Sequence, residues 1–249
     1  SMAVNYTNLI KMDERVGKLI KKLKKEDLYD DSYIFFYSDH GGPFPRHKRA
    51  IYETGTKVPF LVKFPGGKNE KVNKKQLLSF VDLAPTVLSI AGVKSPSEYQ
   101  GFAFLGKNKS KIEREFLYTS SDRFDNVPDR IRAVRDSKFK YIRNYNQENS
   151  HALNVLYRKQ MLLMRHLTSL HLTGQLDEKS DNWFKSPRLM EELYDLENDP
   201  FELNNLSLDP DYTDIKKKLS LNLDEFLLKI DDLGRIPEEE LIKLISSED

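Results

Sequence analysis

The segment that most constrains this chain is a short apolar and aromatic run, Tyr33-Ile34-Phe35-Phe36-Tyr37, that stops at Ser38-Asp39-His40-Gly41-Gly42. The run has the length of a strand and no polar alternation, so it reads as a strand covered on both faces. It delivers an Asp-His pair at its carboxyl end, the place where open α/β sheets gather their chemistry. A carboxylate and an imidazole on adjacent residues turn toward one cation only if the backbone bends sharply, and the two following glycines permit that bend. Asp39 and His40 are therefore candidate metal ligands, expected to face a cleft. Lys48 follows in a loop rich in Pro, Arg and His, where a fixed ammonium meets an anionic group held by the metal.

Composition narrows the function classes. The chain has 249 residues, more than the usual single domain, so a truncated domain plus a smaller second one is the starting expectation. With 39% apolar residues and a mean hydropathy of −0.62 it buries a core, and no stretch is long enough to span a bilayer. Forty Lys and Arg stand against 39 acids, a net charge of +1 that argues against a dedicated polyanion binder. No nucleic-acid partner is expected. The absence of cysteine excludes disulfides, thiolate catalysis and cysteine-based zinc sites together.

Periodicity organises the rest. Asn5 to Lys25 has apolar residues at Leu9, Met12, Val16, Leu19, Ile20 and Leu23, the spacing of an amphipathic helix with lysines on its other face. Pro59 to Phe64 reads as a second buried strand. A helix is expected between Phe80 and Ala91, with Asp82 as N-cap, Pro85 in its first turn and Gly92 just beyond its end. The polar, flexible stretch from Gly106 to Lys111 marks a domain boundary, giving residues 1–106 and 107–249. Beyond it, Phe116 to Ser120, Ile131 to Arg135, Lys138 to Arg143 and Glu192 to Leu196 read as four short strands of an antiparallel sheet. Leu153 to Leu172 is expected to be one long amphipathic helix packed on that sheet, and Leu219 to Ile230 a second helix. Arg132, Arg135, Lys140 and Arg143 alternate as a solvated sheet face does.

Several stretches together resemble the sulfatase family of the alkaline-phosphatase superfamily. Sulfatases read Ser-Asp-Asn/His-Gly, then Lys-Gly-x-x-Tyr-Glu-x-Gly, then a Val-Pro stretch ending in Pro-Gly. This chain gives Ser38-Asp39-His40-Gly41, Lys48-Arg49-Ala50-Ile51-Tyr52-Glu53-Thr54-Gly55, and Val58-Pro59 through Pro65-Gly66. Asn8 to Leu23 and Val81 to Leu88 resemble the helices on either side of that region. Arg132 to Arg135, Phe139 to Arg143 and Glu192 to Pro200 resemble the family's C-terminal domain, and the Pro43-Phe44-Pro45-Arg46 insert leans toward the sulfamidase-like branch.

The resemblance implies an α/β fold, the C-terminal part of an alkaline-phosphatase-like sheet domain followed by a small α+β domain. It implies hydrolysis of a sulfate ester or sulfamate, on a carbohydrate, in an extracytoplasmic setting (periplasmic, secreted or lysosomal), although no signal peptide is visible. By resemblance Asp39 and His40 hold a divalent metal, calcium in most members, although imidazole suits zinc or manganese better and leaves the metal open. The alternative for His40 is contact with the anionic group or packing in the loop. Lys48 matches the lysine that bridges nucleophile and sulfate, Arg46 and His47 are candidate substrate contacts, and Tyr52 and Glu53 position the loop. His151, His166 and His171 follow no ligand spacing and read as structural.

The family's formylglycine arises from a Cys or Ser segment near the N-terminus, and this chain has no matching segment. It is therefore expected to be the C-terminal half of such an enzyme, inactive alone, with the missing half or a second copy as partner; Ser1-Met2 reads as an expression scar. Two alternatives stand beside this reading: a phosphodiesterase or phosphonate hydrolase of the same superfamily, and a non-catalytic binding module.

Overall fold

Two separate sheets organise the chain, and they differ in how completely their faces are covered. The computed structural model describes residues 2–67 and 76–246. The chain forms two compact units, one made of Ser1–Val72, Phe124–Val127 and Ser150–Ser186, the other of Asn73–Arg123, Pro128–Asn149 and Pro187–Asp249. The sequence-based division at residue 106 falls inside the second of these.

In the first unit, helix α1 (Met2–Lys25) has the expected amphipathic spacing, and Asp27 in the left-handed region (φ 55°) turns the chain out of it. None of its residues is buried, so Leu9, Met12 and Leu19 stay exposed. Strand β1 (Ile34–Tyr37) pairs antiparallel with β2 (Phe60–Lys63), Ile34 opposite Lys63 and Tyr37 opposite Phe60. The one-turn helix α2 (Glu53–Thr56) lies between them. The expectation of strands covered on both faces is not met: Tyr37 and Leu61 are exposed. The aromatic rings pack instead on one another across the ladder, Tyr37 on Phe60 at 5.8 Å and Phe35 on Phe60 at 6.1 Å.

The single helix expected from Leu153 to Leu172 is broken at Met161 (φ −76°, ψ 118°) into α4 (Leu156–Gln160) and α5 (Leu162–Leu172). Both belong to this first unit, as does the one-turn α6 (Glu178–Asp181), and neither is the helix that covers the larger sheet. Leu153 and Val155 precede α4 and pack on Phe124 and Tyr157, which draws them off the helical stripe.

The second unit holds the expected four-stranded antiparallel sheet in the order β3 (Leu117–Phe124), β4 (Val127–Arg135), β5 (Phe139–Asn144), β6 (Glu191–Asp195), although Phe124 and Val127 at the β3–β4 tip group with the first unit. Val134 lies opposite Tyr141 and Tyr141 opposite Leu193, so three buried side chains form one row across the sheet. Helix α7 (Thr213–Lys229) lays Leu219 and Leu223 on that row and closes the core. Burial, and then its hydrogen bond to Glu191, pushes the Tyr141 hydroxyl up to about 12.

The basic positions on these strands are not a solvated stripe. Arg132 is 3% exposed and pairs with Asp122 and Asp232, each at 2.7 Å, Lys140 is buried against Glu202, and Arg143 reaches Asp224 and Ser220 of α7. A charge in a sheet core needs a partner, and loops and α7 supply it.

Helix α3 (Leu83–Ile90) has Asp82 at its N-cap position, as expected, but the carboxylate makes no capping bond to α3. It serves the preceding turn instead, where Ser79 is the cap and Asp82 closes the reciprocal bond by accepting the Ser79 N–H at 2.8 Å. Buried Asp82 also accepts from Phe102 N–H and Arg114. The Gly106 segment is not a free linker: with φ 88° it approaches the end of α3, and the N–H groups of Lys107 and Asn108 bond to Ser89.

Burial would raise the Asp232 carboxyl, but hydrogen bonds from Arg132 and Arg130 hold it below its ordinary value. A lowered folded value means stability that is present above the unfolded carboxylate range and lost as pH falls through the folded one. Asp232→Asn is expected to cost about 3 kcal/mol at pH 7 in urea unfolding, with the deficit shrinking below about pH 4. An equal deficit at pH 3 and pH 7 would contradict this pairing.

Candidate active site

The loop after β1 is shaped by two glycines meeting backbone to backbone. Gly41 N–H donates to the Gly55 carbonyl at 2.9 Å, and a Cβ on Gly41 would lie 1.9 Å from the Thr54 carbonyl oxygen. Gly55 is equally confined, since its Cβ would meet the Ala50 oxygen at 2.1 Å and the His47 oxygen at 2.3 Å. The backbone bends at Asp39 and His40, as expected, but neither Gly41 nor Gly42 has a positive φ; what requires a glycine at position 41 is close approach. The Asp-His segment and the Tyr52–Gly55 segment are thereby fixed to each other.

On this platform Asp39 and His40 are brought together. His40 Nδ1 lies 2.8 Å from the Gly41 carbonyl oxygen, which only accepts, so the hydrogen-bond network places the proton on Nδ1. Nε2 then carries the lone pair, and it faces Asp39 Oδ2 at 3.5 Å. Backbone anchoring of one ring nitrogen with the other free is the arrangement of a metal-binding histidine. Two ligand atoms each about 2.1 Å from one cation are separated by roughly this distance. The pair thus fits part of a divalent coordination shell. No group of three or more His, Cys, Asp or Glu side chains suited to a metal occurs among the described residues. The Asp39 side chain is 83% exposed, so the described residues do not close the expected cleft around it.

Lys48 is tied in by its backbone, the N–H donating to the Gly42 carbonyl at 3.0 Å. Its ammonium has no ion pair or hydrogen bond among the described residues. The flanking residues Arg46 and Arg49 both have φ 65°, which an arginine adopts only where its surroundings hold it there. Arg46 places its guanidinium 3.9 Å over the ring of buried Tyr52, and Thr54 Oγ1 donates to its carbonyl. His47 meets Phe44 edge-on at 5.6 Å, and burial, then the Arg46 charge, lowers its imidazole below the ordinary value. Tyr52 and Glu53 are buried, as loop-positioning residues would be.

Sequence reasoning read His151 as structural but linked neither it nor the other residues that support this loop, from elsewhere in the same unit, to the loop itself. Tyr52 lies 3.4 Å from His151 Nε2 through its hydroxyl, and His151 stacks on Trp183 at 5.4 Å. Arg49 pairs with Asp125 and lies over Phe124 and Tyr157. Nothing in local spacing links residues so far apart in the chain. His171 pairs with Asp181 at 2.6 Å and stacks on Phe184, a structural setting.

Residues 1–93 match the sulfatase family. Across 95% of its length the chain is 45% identical to an ulvan-active sulfatase of Formosa agariphila, covering 40% of that protein. It is 27% identical over 88% of its length to the human N-sulphoglucosamine sulphohydrolase, covering 46% of it. A solved structure described as a complex with its substrate D-glucosamine-2-N,6-O-disulfate superposes with a TM-score of 0.61 at 23% identity, over 92% of this chain and 41% of that one. The chain spans less than half the length of each. No helix among the described residues is long and apolar enough to cross a membrane.

The glycine contact yields a direct test. Gly41→Ala should destabilise the first unit by about 3 kcal/mol, because the new Cβ meets backbone that has nowhere to move. Gly17→Ala on α1, where an added Cβ meets nothing, should be neutral or stabilising by up to about 1 kcal/mol. Urea unfolding of both variants measures the difference; equal stabilities would refute the close-approach account.

Proposed function

Because the chain belongs to the sulfatase family, we propose that it contributes the metal-holding and lysine side of a site that hydrolyses sulfate esters or sulfamates of carbohydrates. The observation that carries this reading is the Asp39–His40 pair, with the imidazole proton anchored on Gly41 and Nε2 turned to the carboxylate. Asp39 and His40 would hold a divalent cation, calcium by family resemblance, which supplies positive charge to the sulfate oxygens. The chain's own part is electrostatic. Lys48 presents an ammonium with no partner among the described residues, from a loop fixed at Gly42 and Gly55, ready to stabilise charge on a sulfate or leaving-group oxygen. Arg46, parked on Tyr52, and His47, held neutral at pH 7, line the same loop and contact the sugar or its charge.

Substrates named for its relatives, ulvan and sulfated glucosamines, suit such a site, and an extracytoplasmic setting suits those substrates. The nucleophile is not among these residues, so the chain alone is expected to show no turnover of an aryl sulfate.

In an active sulfatase carrying these residues, Lys48→Ala should lower kcat by about two to three orders of magnitude. Lys48→Arg should restore little, since a planar guanidinium does not take the place of a compact ammonium. Steady-state assays decide, and unchanged turnover in Lys48→Ala would remove the residue from the site.

A further inference from the structure

We propose that the tip of the β3–β4 hairpin, Phe124-Asp125, positions Lys48 by gripping its neighbour Arg49; the proposal rests on the reading of Lys48 given above. The Lys48 ammonium has no partner among the described residues, so where it stands is decided by the backbone on either side of it. That backbone is in the left-handed region at both Arg46 and Arg49, a conformation that needs outside support. Arg46 finds it on Tyr52, within the same loop. Arg49 finds it across 76 positions of sequence, in the carboxylate of Asp125.

The grip has three parts. Arg49 pairs with Asp125, its guanidinium lies 4.9 Å from the ring centroid of Phe124, and Tyr157 lies 5.3 Å away. Phe124 is fixed in turn: it is buried with Leu153 and Val155, and the Arg158 guanidinium lies 4.3 Å from its ring. Arg158 donates to the His151 carbonyl at 2.5 Å, and His151 is the residue that meets the Tyr52 hydroxyl. Both arginines that flank the His47-Lys48 pair are thus referred to a single aromatic cluster.

The exposure of the pair separates positioning from mere stability. Arg49 is 42% and Asp125 34% exposed, and an ion pair so open to water adds little to folding. A small displacement of a charged group at a reacting centre, in contrast, costs heavily in rate. Loss of Asp125 should therefore register in turnover far more than in unfolding.

The test uses an active sulfatase carrying this chain, with 4-nitrophenyl sulfate as substrate. Asp125→Ala is expected to lower kcat about tenfold with KM changed less than about twofold. The swapped pair Arg49→Asp with Asp125→Arg should recover kcat to within about threefold of the parent, since both residue types adopt positive φ elsewhere in this chain, arginine at Arg46 and aspartate at Asp27 and Asp231. In a Lys48→Ala background, Asp125→Ala should have no further effect, because the group it positions is gone. Equal losses in both backgrounds, or no loss in either, would overturn the proposal while leaving the role of Lys48 intact. Should Asp125→Ala fail to fold, Asp125→Asn carries the same comparison. Wild-type turnover in Lys48→Ala would instead overturn the functional reading, and the positioning role with it.

Discussion

The structure of the candidate site depends on one contact, the meeting of the Gly41 and Gly55 backbones. Everything proposed for the loop follows from it. With the Gly41 N–H committed to Gly55, its carbonyl is left to orient the His40 ring, and the ring in turn presents Nε2 to Asp39. The Gly42 carbonyl takes the Lys48 N–H, so the cationic loop is hung from the same few atoms. A side chain at either glycine would separate two segments whose joint placement is what gives the site its chemistry.

The elements that carry the candidate loop were legible because their signals are local: the apolar run before Asp39 and His40 is strand β1, and the four strands and the C-terminal part of α7 show in their residue patterns. The reasons behind the local signals were less legible. The chain bends at Asp39 and His40 as read, but Gly41 is needed for a close approach; Asp82 stands at the N-cap of α3 as read, but its carboxylate serves Ser79 in the turn before. Both reasons escape local reading, since a residue's type reports the conformations it tolerates and not the neighbour that exploits it. The apolar spacing through Leu153 to Leu172 fits one helix, yet Leu153 and Val155 bury themselves on Phe124 in extended backbone, a choice made by a distant residue.

Charge was the least legible property. Arg132, Lys140 and Arg143 alternate on strands as exposed residues do, and each is paired with an acid from a remote element, Asp232, Glu202 and Asp224. The same is true of Arg49 and Asp125. In both units the chain uses arginine to join segments far apart in sequence, which suits a guanidinium that forms several bonds in fixed directions and also lies on aromatic rings. The pairs differ in exposure: Arg132 with Asp232 and Lys140 with Glu202 are buried, Arg143 with Asp224 is only partly so, and the Arg49 pair stands half in solvent beside a lysine that has no partner among the described residues.

The central claim, that the glycine contact assembles a cation site from Asp39 and His40, is tested most directly by nuclear magnetic resonance of the chain with Mn2+ as a paramagnetic probe. The account predicts selective broadening of the Asp39, His40 and Gly41 signals at low Mn2+, with the His40 Nε2 resonance lost first, and its removal in Asp39→Ala. Broadening dispersed over other acidic surfaces, such as Glu238 to Glu240 of α8 (Glu238–Ser246), with the loop after β1 unaffected, would contradict it.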